Sequence, residues 1–381
     1  MKYIKLYAYL EHNLGDDLMV DILLKRYAQY KFFYVDRWRE YSVFNSCDNF
    51  ITPDKVWKKW GRINHLCNIL TLNKKKDFFI RMIKRGIERK SICSVYIGGS
   101  IYIEEANEKT ESRILEESRK LIDGPLFIIG ANFGPYRDQK FKESFHSYFE
   151  KCYDVCFRDR KSFDLFSDLP NVRYAPDVVF NFPNIAKKKS NNHAIISVID
   201  FNSRSSLKEY ASVYETFICD FCKACVLQEL NPILVSFCKN EGDEDAIARI
   251  VNKFPMNFKA KIEVFMYNDI QSMVEKISTA KFVLATRFHA MILAICFGIP
   301  FFCIAYNNKI SNVLDEMNCD AYCLPEETYC LDAAEILEHS KLCIDCNNFV
   351  AEAEKQFEKL DMFLKVEEGN HVGNQYNCTC L

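Results

Sequence analysis

Short apolar runs alternate along this chain with segments of helical period, and that alternation restricts the fold more than any other feature. YIKLYAYL (3–10), KFFYVDRW (31–38), SVYIGGSIYI (94–103), PLFIIGANFG (125–134), DVCFRD (154–159) and VRYAPDVVF (172–180) read as strands, with a helix from Asp17 to Tyr30 after the first. The pattern restarts after the polar break KKKSNN (187–192), with HAIISVIDF (193–201), PILVSFC (232–238), KIEVFMY (261–267), AKFVLATRF (280–288) and PFFCIAY (300–306). Helical stretches near 206–230, 243–254 and 289–298 separate these runs. Strands joined through helices build parallel sheets covered on both faces. The expected fold class is therefore α/β, with two Rossmann-like domains facing a central cleft. Their expected limits are 1–188 and 189–365, followed by a polar, mobile tail over 366–381. A length of 381 residues suits two domains of ~100–200 residues each.

Composition narrows the function classes. Hydrophobic residues make up 49% and charged residues 27% of the chain, which excludes disorder and coiled coil as the main architecture. No apolar run reaches the ~18–20 residues of a membrane span. A formal net charge of -2 argues against nucleic acid as a partner. The N-terminus turns polar and acidic too early for a secretory signal, so the 18 cysteines are expected as reduced, mostly buried thiols of a cytoplasmic protein. One segment departs from the average. Residues 55–90 carry twelve Lys and Arg against two acids, Asp77 and Glu88, with Trp57, Trp60, Phe78, Phe79 and Met82 interleaved. Such a basic amphipathic insertion suits an anionic membrane surface; a solvated insertion packed on its domain is the plain alternative.

In open parallel sheets, ligands sit beyond the carboxyl ends of the strands, so motifs there carry the functional argument. Asn13-Leu14-Gly15-Asp16-Asp17 follows the first strand. Its aspartates either cap the next helix or aim a carboxylate at a sugar hydroxyl, with Asp16 as the candidate base. Gly98-Gly99-Ser100 ends another strand and leaves room for a ligand against backbone N–H groups. Asn132, in GANFGPY (130–136), can donate to and accept from a hydroxyl or carboxylate. Arg158, in CFRDRKS (156–162), can grip a carboxylate or phosphate with its planar fork.

The sharpest motif is Ala285-Thr286-Arg287-Phe288-His289-Ala290, between an apolar strand and the apolar helix MILAICFG. Arg287 and His289 are two residues apart. On extended backbone both would point one way and, with the helix N-terminus, form an anion site. Lys309, after the next strand, adds a further cation.

Taken together and in this order, the motifs resemble the polysaccharide pyruvyltransferase family. The matching segments are NLGDD (13–17), YIGGS (96–100), GANFGPY (130–136), FRDRKS (157–162), APDVVF (175–180), ATRFHAMILAICFGIP (285–300) and YNNK (306–309), covering about residues 1–320. The resemblance implies a fold like the two-domain GT-B glycosyltransferases. It also implies pyruvyl transfer from phosphoenolpyruvate to a hexose of a surface polysaccharide or its precursor, forming a ketal and releasing phosphate. The acceptor would be a glycan or a lipid-linked sugar. By motif, Arg158, Arg287, His289 and Lys309 would bind the donor and Asp16 would act in catalysis. Asn13, Gly99, Ser100 and Asn132 complete the candidate substrate-binding set. No cofactor and no metal are expected, because cationic side chains offset the charge of the donor.

Three other readings remain at this point, one of them a non-enzymatic glycan-binding or scaffold protein on an inactive enzyme fold. A GT-B glycosyltransferase using a nucleotide sugar would have the same fold, with Ser236 to Asp243 (SFCKNEGD) at the nucleotide. A metal or cluster would have to use Cys219-x-x-Cys222-x-x-Cys225 and Cys343-x-x-Cys346. The first triplet repeats one helix face and reads as core packing.

Overall fold

The structure is a computed structural model that describes residues 2–35, 41–70, 78–104, 109–122, 124–182, 191–339 and 347–376. Its strands form two wholly parallel sheets. The first contains β1 (Tyr3–Ala8), β2 (Lys31–Tyr34), β3 (Phe50–Ile51), β4 (Ser91–Ile97), β5 (Leu126–Ala131), β6 (Asp154–Phe157) and β7 (Val172–Tyr174). The second contains β8 (His193–Ser197), β9 (Asn231–Ser236), β10 (Glu263–Met266), β11 (Phe282–Ala285), β12 (Phe301–Ile304) and β13 (Tyr322–Cys323). The strand orders are β3-β2-β1-β4-β5-β6-β7 and β10-β9-β8-β11-β12-β13. Each runs outward in both directions from its first strand, the doubly wound arrangement. The direction reverses between β1 and β4 in one sheet and between β8 and β11 in the other, and a ligand crevice is expected at each such point.

The strands read as near-continuous apolar runs because both faces of each sheet are covered. In β5 every residue is buried, and so is every residue of β11. An aromatic cluster of Tyr102, Phe133, Phe141, Phe145, Phe149 and Phe166 packs on the first sheet. On the second, Tyr214, Phe217 and Phe221 of the helix Ala211–Leu227 meet Ile196, Leu234 and Leu284. Cys219, Cys222 and Cys225 of that helix lie in the same core. Among the described residues no group of three or more His, Cys, Asp or Glu is placed to hold a metal, while Cys343 and Cys346 lie outside the described residues.

The chain divides into two compact units. One comprises Met1–Tyr9, Ile22–Val178 and Phe349–Leu381; the other comprises Leu10–Asp21 and Val179–Asn348. The expected boundary at 188/189 falls outside the described residues. The expected limit at 365 does not match this division, since residues from Phe349 onward belong with the first unit. The cause is an amphipathic C-terminal segment that buries Phe357, Leu360 and Leu364. Arg26 binds Glu354 and Asp361 there, each at 2.7 Å, and the Tyr27 hydroxyl donates to Asp361 at 2.7 Å. The buried Gln356 side chain donates to the carbonyl of Ala175 and accepts from the N–H of Gly130. The helix Glu358–Tyr376 runs through most of the segment expected as a mobile tail, and residues 377–381 lie outside the described residues.

The insertion is a pair of helices, Pro53–Leu70 and Phe78–Arg89, which pack on one another. Among the described residues no helix is long and apolar enough to cross a membrane.

Candidate functional site

The second unit holds the densest group of candidate residues. The β11 strand ends at Ala285, and the helix Phe288–Cys296 begins three residues later with Arg287 as its N-cap. The turn is fixed from below: the Ser197 hydroxyl, at the end of β8, accepts the N–H groups of Thr286 at 2.8 Å and Arg287 at 3.1 Å. The Thr286 hydroxyl bonds Tyr214 at 3.1 Å. This places Arg287 and His289 at the point where the order of the second sheet reverses.

The backbone does not stay extended through the motif as expected: Arg287 is extended, but the helix already opens at Phe288. The Arg287 guanidinium is buried and enclosed by carboxylates. Its Nε and Nη2 engage both oxygens of Asp243, and Nη1 donates to Glu241 at 2.5 Å. Arg204 also donates to Glu241, at 2.6 Å. Two guanidiniums and two carboxylates thus form a neutral cluster rather than a bare anion site. Asp243 is fully buried and accepts the backbone N–H groups of Phe237 and Cys238, each at 2.9 Å. Burial drives its pKa up, and Arg287 with these N–H groups only partly offsets that. For Glu241, burial pushes upward too, but Arg287 and Arg204 outweigh it and the net direction is down. The guanidinium of Arg287 moves up overall, burial being overcome by Asp243 and Glu241.

The Asn13–Asp17 motif joins this cluster inside the second unit. Leu14 N–H donates to the carbonyl of Phe237 at 3.1 Å, and Asn13 bridges to Cys238. The Asn13 side chain accepts the N–H of Gly15 at 3.1 Å and donates to Glu241 at 3.2 Å. It caps the helix Leu14–Arg26 and ties that cap to the Arg287 partner. Asp17 is buried and accepts the Tyr267 hydroxyl at 2.6 Å, whereas Asp16 is only partly buried. Gly15 lies directly against His289: a Cβ there would fall 1.8 Å from the imidazole Nδ1. Lys309 sits in the first turn of the helix Asn308–Glu316, capped by Asn307 and following β12, the neighbour of β11.

The first unit holds a separate group. Gly99 and Ser100 follow β4, Asn132 follows β5 and Arg158 follows β6, on three adjacent strands. Arg158 is buried, with Nη1 donating to Asp177 at 2.8 Å and Nη2 to the Asn132 carbonyl oxygen at 2.9 Å. Ser100 Oγ donates to the same oxygen at 3.4 Å. A Cβ on Gly99 would lie 2.5 Å from Cζ of Arg158, so this glycine makes room for the guanidinium.

Sequence reasoning did not select Gly15, Asp177, Arg204, Glu241 or Asp243 as site residues. Gly15 and Asp177 stood inside quoted motifs, and Glu241 and Asp243 stood in a run read as a nucleotide contact. The one general signal was that a buried arginine needs an acidic partner.

The family model for polysaccharide pyruvyl transferase matches residues 13–308 of the chain. Among curated proteins no match was found. Among solved structures, the chain is similar to the UDP-GlcNAc 2-epimerase of Methanocaldococcus jannaschii in complex with UDP-GlcNAc and UDP. That likeness has 12% identity and a TM-score of 0.55, covering 95% of this chain and 100% of that one. It is also similar to Anabaena HepE in complex with UDP and glucose, at 11% identity and a TM-score of 0.51, covering 97% and 99%. The UDP-GlcNAc 2-epimerase of Neisseria meningitidis bound to UDP-GlcNAc is a third, at 12% identity and a TM-score of 0.51, covering 94% and 99%. These likenesses show the fold, a mixed α/β chain with two parallel sheets of the GT-B kind.

Proposed function

The chain belongs to the polysaccharide pyruvyl transferase family, and on that premise we propose that it moves a pyruvyl group from phosphoenolpyruvate to two hydroxyls of one sugar in a polysaccharide or its precursor. The observation that carries the site assignment is the placement of His289. It is the second residue of a helix at the reversal point of the second sheet, held against Gly15 next to the partly exposed Asp16.

The chemistry asks for an acid, a base and positive potential. Protonation of the methylene carbon makes the neighbouring carbon cation-like. One sugar hydroxyl adds to that carbon, the bond to the phosphate oxygen breaks, and a second hydroxyl adds to close the ketal. Of the two hydroxyl protons lost, one balances the proton gained by the methyl group and the other leaves on phosphate. His289 serves as the acid or as a phosphate contact, and Asp16 as the base, roles worth about 10²–10⁴-fold each. Lys309 and the amino ends of the helices Phe288–Cys296 and Asn308–Glu316 supply positive potential for the donor. Arg287 acts as a positioning residue, because its guanidinium is committed to Asp243 and Glu241. Arg158, committed to Asp177 and Asn132, is likewise a positioning residue and holds Asn132 for substrate within the first unit.

Thermal unfolding with phosphoenolpyruvate and with a panel of nucleotide sugars tests the reading. A ligand at ~100 times its Kd stabilises by about 2.7 kcal/mol, a shift of several degrees for domains of this size. The expected result is a shift with phosphoenolpyruvate that His289→Ala loses. The second reading, a nucleotide-sugar glycosyltransferase, draws on the fold shared with structures solved with UDP. A shift with nucleotide sugars alone would establish it and remove the first.

A further inference from the structure

The helices Pro53–Leu70 and Phe78–Arg89 carry a pattern that the proposed chemistry does not use. On the first, Lys59, Arg62, Ile63 and Leu66 are exposed, at spacings that put them on one helix face. On the second, Met82, Arg85 and Arg89 are exposed at intervals of three and four, again one face. The apolar members are well out of the core: Ile63 is 43%, Leu66 58% and Met82 50% exposed. Each face therefore carries both cations and apolar side chains. Of the two acids in 55–90, Glu88 is half-buried and Asp77 lies outside the described residues. The inward side is anchored. Val56 is buried, and the Lys55 ammonium donates to the carbonyls of Phe50 at 3.0 Å and Cys47 at 3.3 Å.

We propose that this helix pair is a docking surface for an anionic lipid bilayer, with the aliphatic side chains entering the headgroup region and the cations meeting lipid phosphates. The charge complementarity is that of Lys59, Arg62, Arg85 and Arg89, exposed on these two faces of a chain whose overall net charge is -2. The exposed Ile63, Leu66 and Met82 select a bilayer over a nucleic acid: aliphatic side chains gain from an acyl boundary, whereas nucleic acids favour aromatic stacking. Anionic headgroups hold each nearby Lys or Arg by about 1 kcal/mol, so several together give firm binding.

The test is vesicle flotation of the full chain with phosphatidylcholine, with and without phosphatidylglycerol, over a range of salt. The proposal expects binding only where phosphatidylglycerol is present. The triple variant Lys59→Gln, Arg62→Gln, Arg85→Gln should lose roughly 100-fold in affinity. The triple variant Ile63→Ser, Leu66→Ser, Met82→Ser should keep recruitment at low salt and lose it at high salt. Unchanged melting temperatures would show that both variants are folded. Equal binding to both vesicle types, no binding to either, or tighter binding to an oligonucleotide than to vesicles would each overturn the proposal. Vesicle binding is read without donor or acceptor, so its failure leaves the pyruvyl-transfer reading untouched.

Discussion

The imidazole of His289 rests on the Cα of Gly15, so closely that any Cβ at residue 15 would meet the ring at 1.8 Å from Nδ1. The two residues are far apart in sequence, yet each is the second residue of a helix whose start is fixed by hydrogen bonds inside the second unit.

Gly15→Ala should therefore act on His289 alone. Alanine suits a helix, but the partly buried imidazole must give way, so the stability cost should be ~1–3 kcal/mol. Displacement of a reacting group by about 1 Å can cost on the order of 100-fold in rate. Phosphate release from phosphoenolpyruvate should fall by that order, while the melting temperature falls by a few to about 10 °C and the protein stays folded at assay temperature. Wild-type turnover in Gly15→Ala would take His289 out of the chemistry.

Much of this arrangement was legible in the chain. The run 285–300 gave strand, turn and helix because β11 is apolar throughout and the following helix has no polar face to confuse its period. The two-residue strands β3 and β13 were missed, since two residues carry no period. The premise of extended backbone through Phe288 did not hold, because the helix has begun there. The partners of Arg287 were hidden for another reason. Burial of an arginine demands a carboxylate, but nothing local says which one, and Asp243 lies 44 residues away. Likewise, the return of 349–376 to the first unit depends on tertiary contacts such as Arg26 with Asp361, which no spacing rule reveals.

Asp243 and Glu241 share Arg287 but should not be equivalent. Asp243 is fully buried and also holds two backbone N–H groups, whereas Glu241 is 29% exposed. Asp243→Ala leaves Nε and Nη2 of the buried Arg287 and two backbone N–H groups without their acceptor, a cost of ~3–5 kcal/mol. Glu241→Gln keeps a hydrogen-bond acceptor beside Arg287 and should cost about 1 kcal/mol. Thermal melts should show the first variant losing several times as many degrees as the second. Equal losses would mean that Asp243 is not the main brace of the strand–helix turn.

Gly99 and Arg158 give a matched pair in the first unit. Arg158→Lys replaces a fork that reaches Asp177 and Asn132 at once with a single point charge. Gly99→Ala keeps the arginine but places a methyl group 2.5 Å from its Cζ. Both variants should weaken substrate binding in the same direction, seen as a raised KM in phosphate release. A normal KM in Gly99→Ala beside a raised one in Arg158→Lys would show that the guanidinium tolerates displacement.

Acid should weaken the second unit through Glu215. This carboxylate accepts from Arg249 Nε at 2.8 Å and pairs with Lys253 Nζ at 2.8 Å. Burial pushes its pKa up, but the two cations outweigh burial and the net direction is down. A folded pKa below the unfolded value means that the pair's stabilisation is fully present above ~4.3 and is lost as pH falls through the lowered folded value. The melting-temperature gap between wild type and Glu215→Gln should be widest near neutral pH and close on acidification below that point. A gap that stays constant to the acid limit of folding would show that Glu215 contributes through packing and not through its charge.

Thiol chemistry separates core cysteines from ligands. Cys222 is wholly buried in the helix Ala211–Leu227, and burial drives its thiol pKa well up, with Cys225 pushed up to about 12 by the same cause. Both thiols stay protonated and shielded at neutral pH, so neither is nucleophilic in the folded chain. Cys330 is exposed. Mass-mapped alkylation of the native protein should modify Cys330 first among the described cysteines and Cys222 last. Cys222→Ala should melt higher than Cys222→Ser, because a hydroxyl in this apolar cluster loses its hydrogen bonds to water and alanine does not. A ligand cysteine would reverse the pattern: both variants would lose bound metal and unfold alike, and elemental analysis of the purified wild type would find zinc or iron in stoichiometric amount.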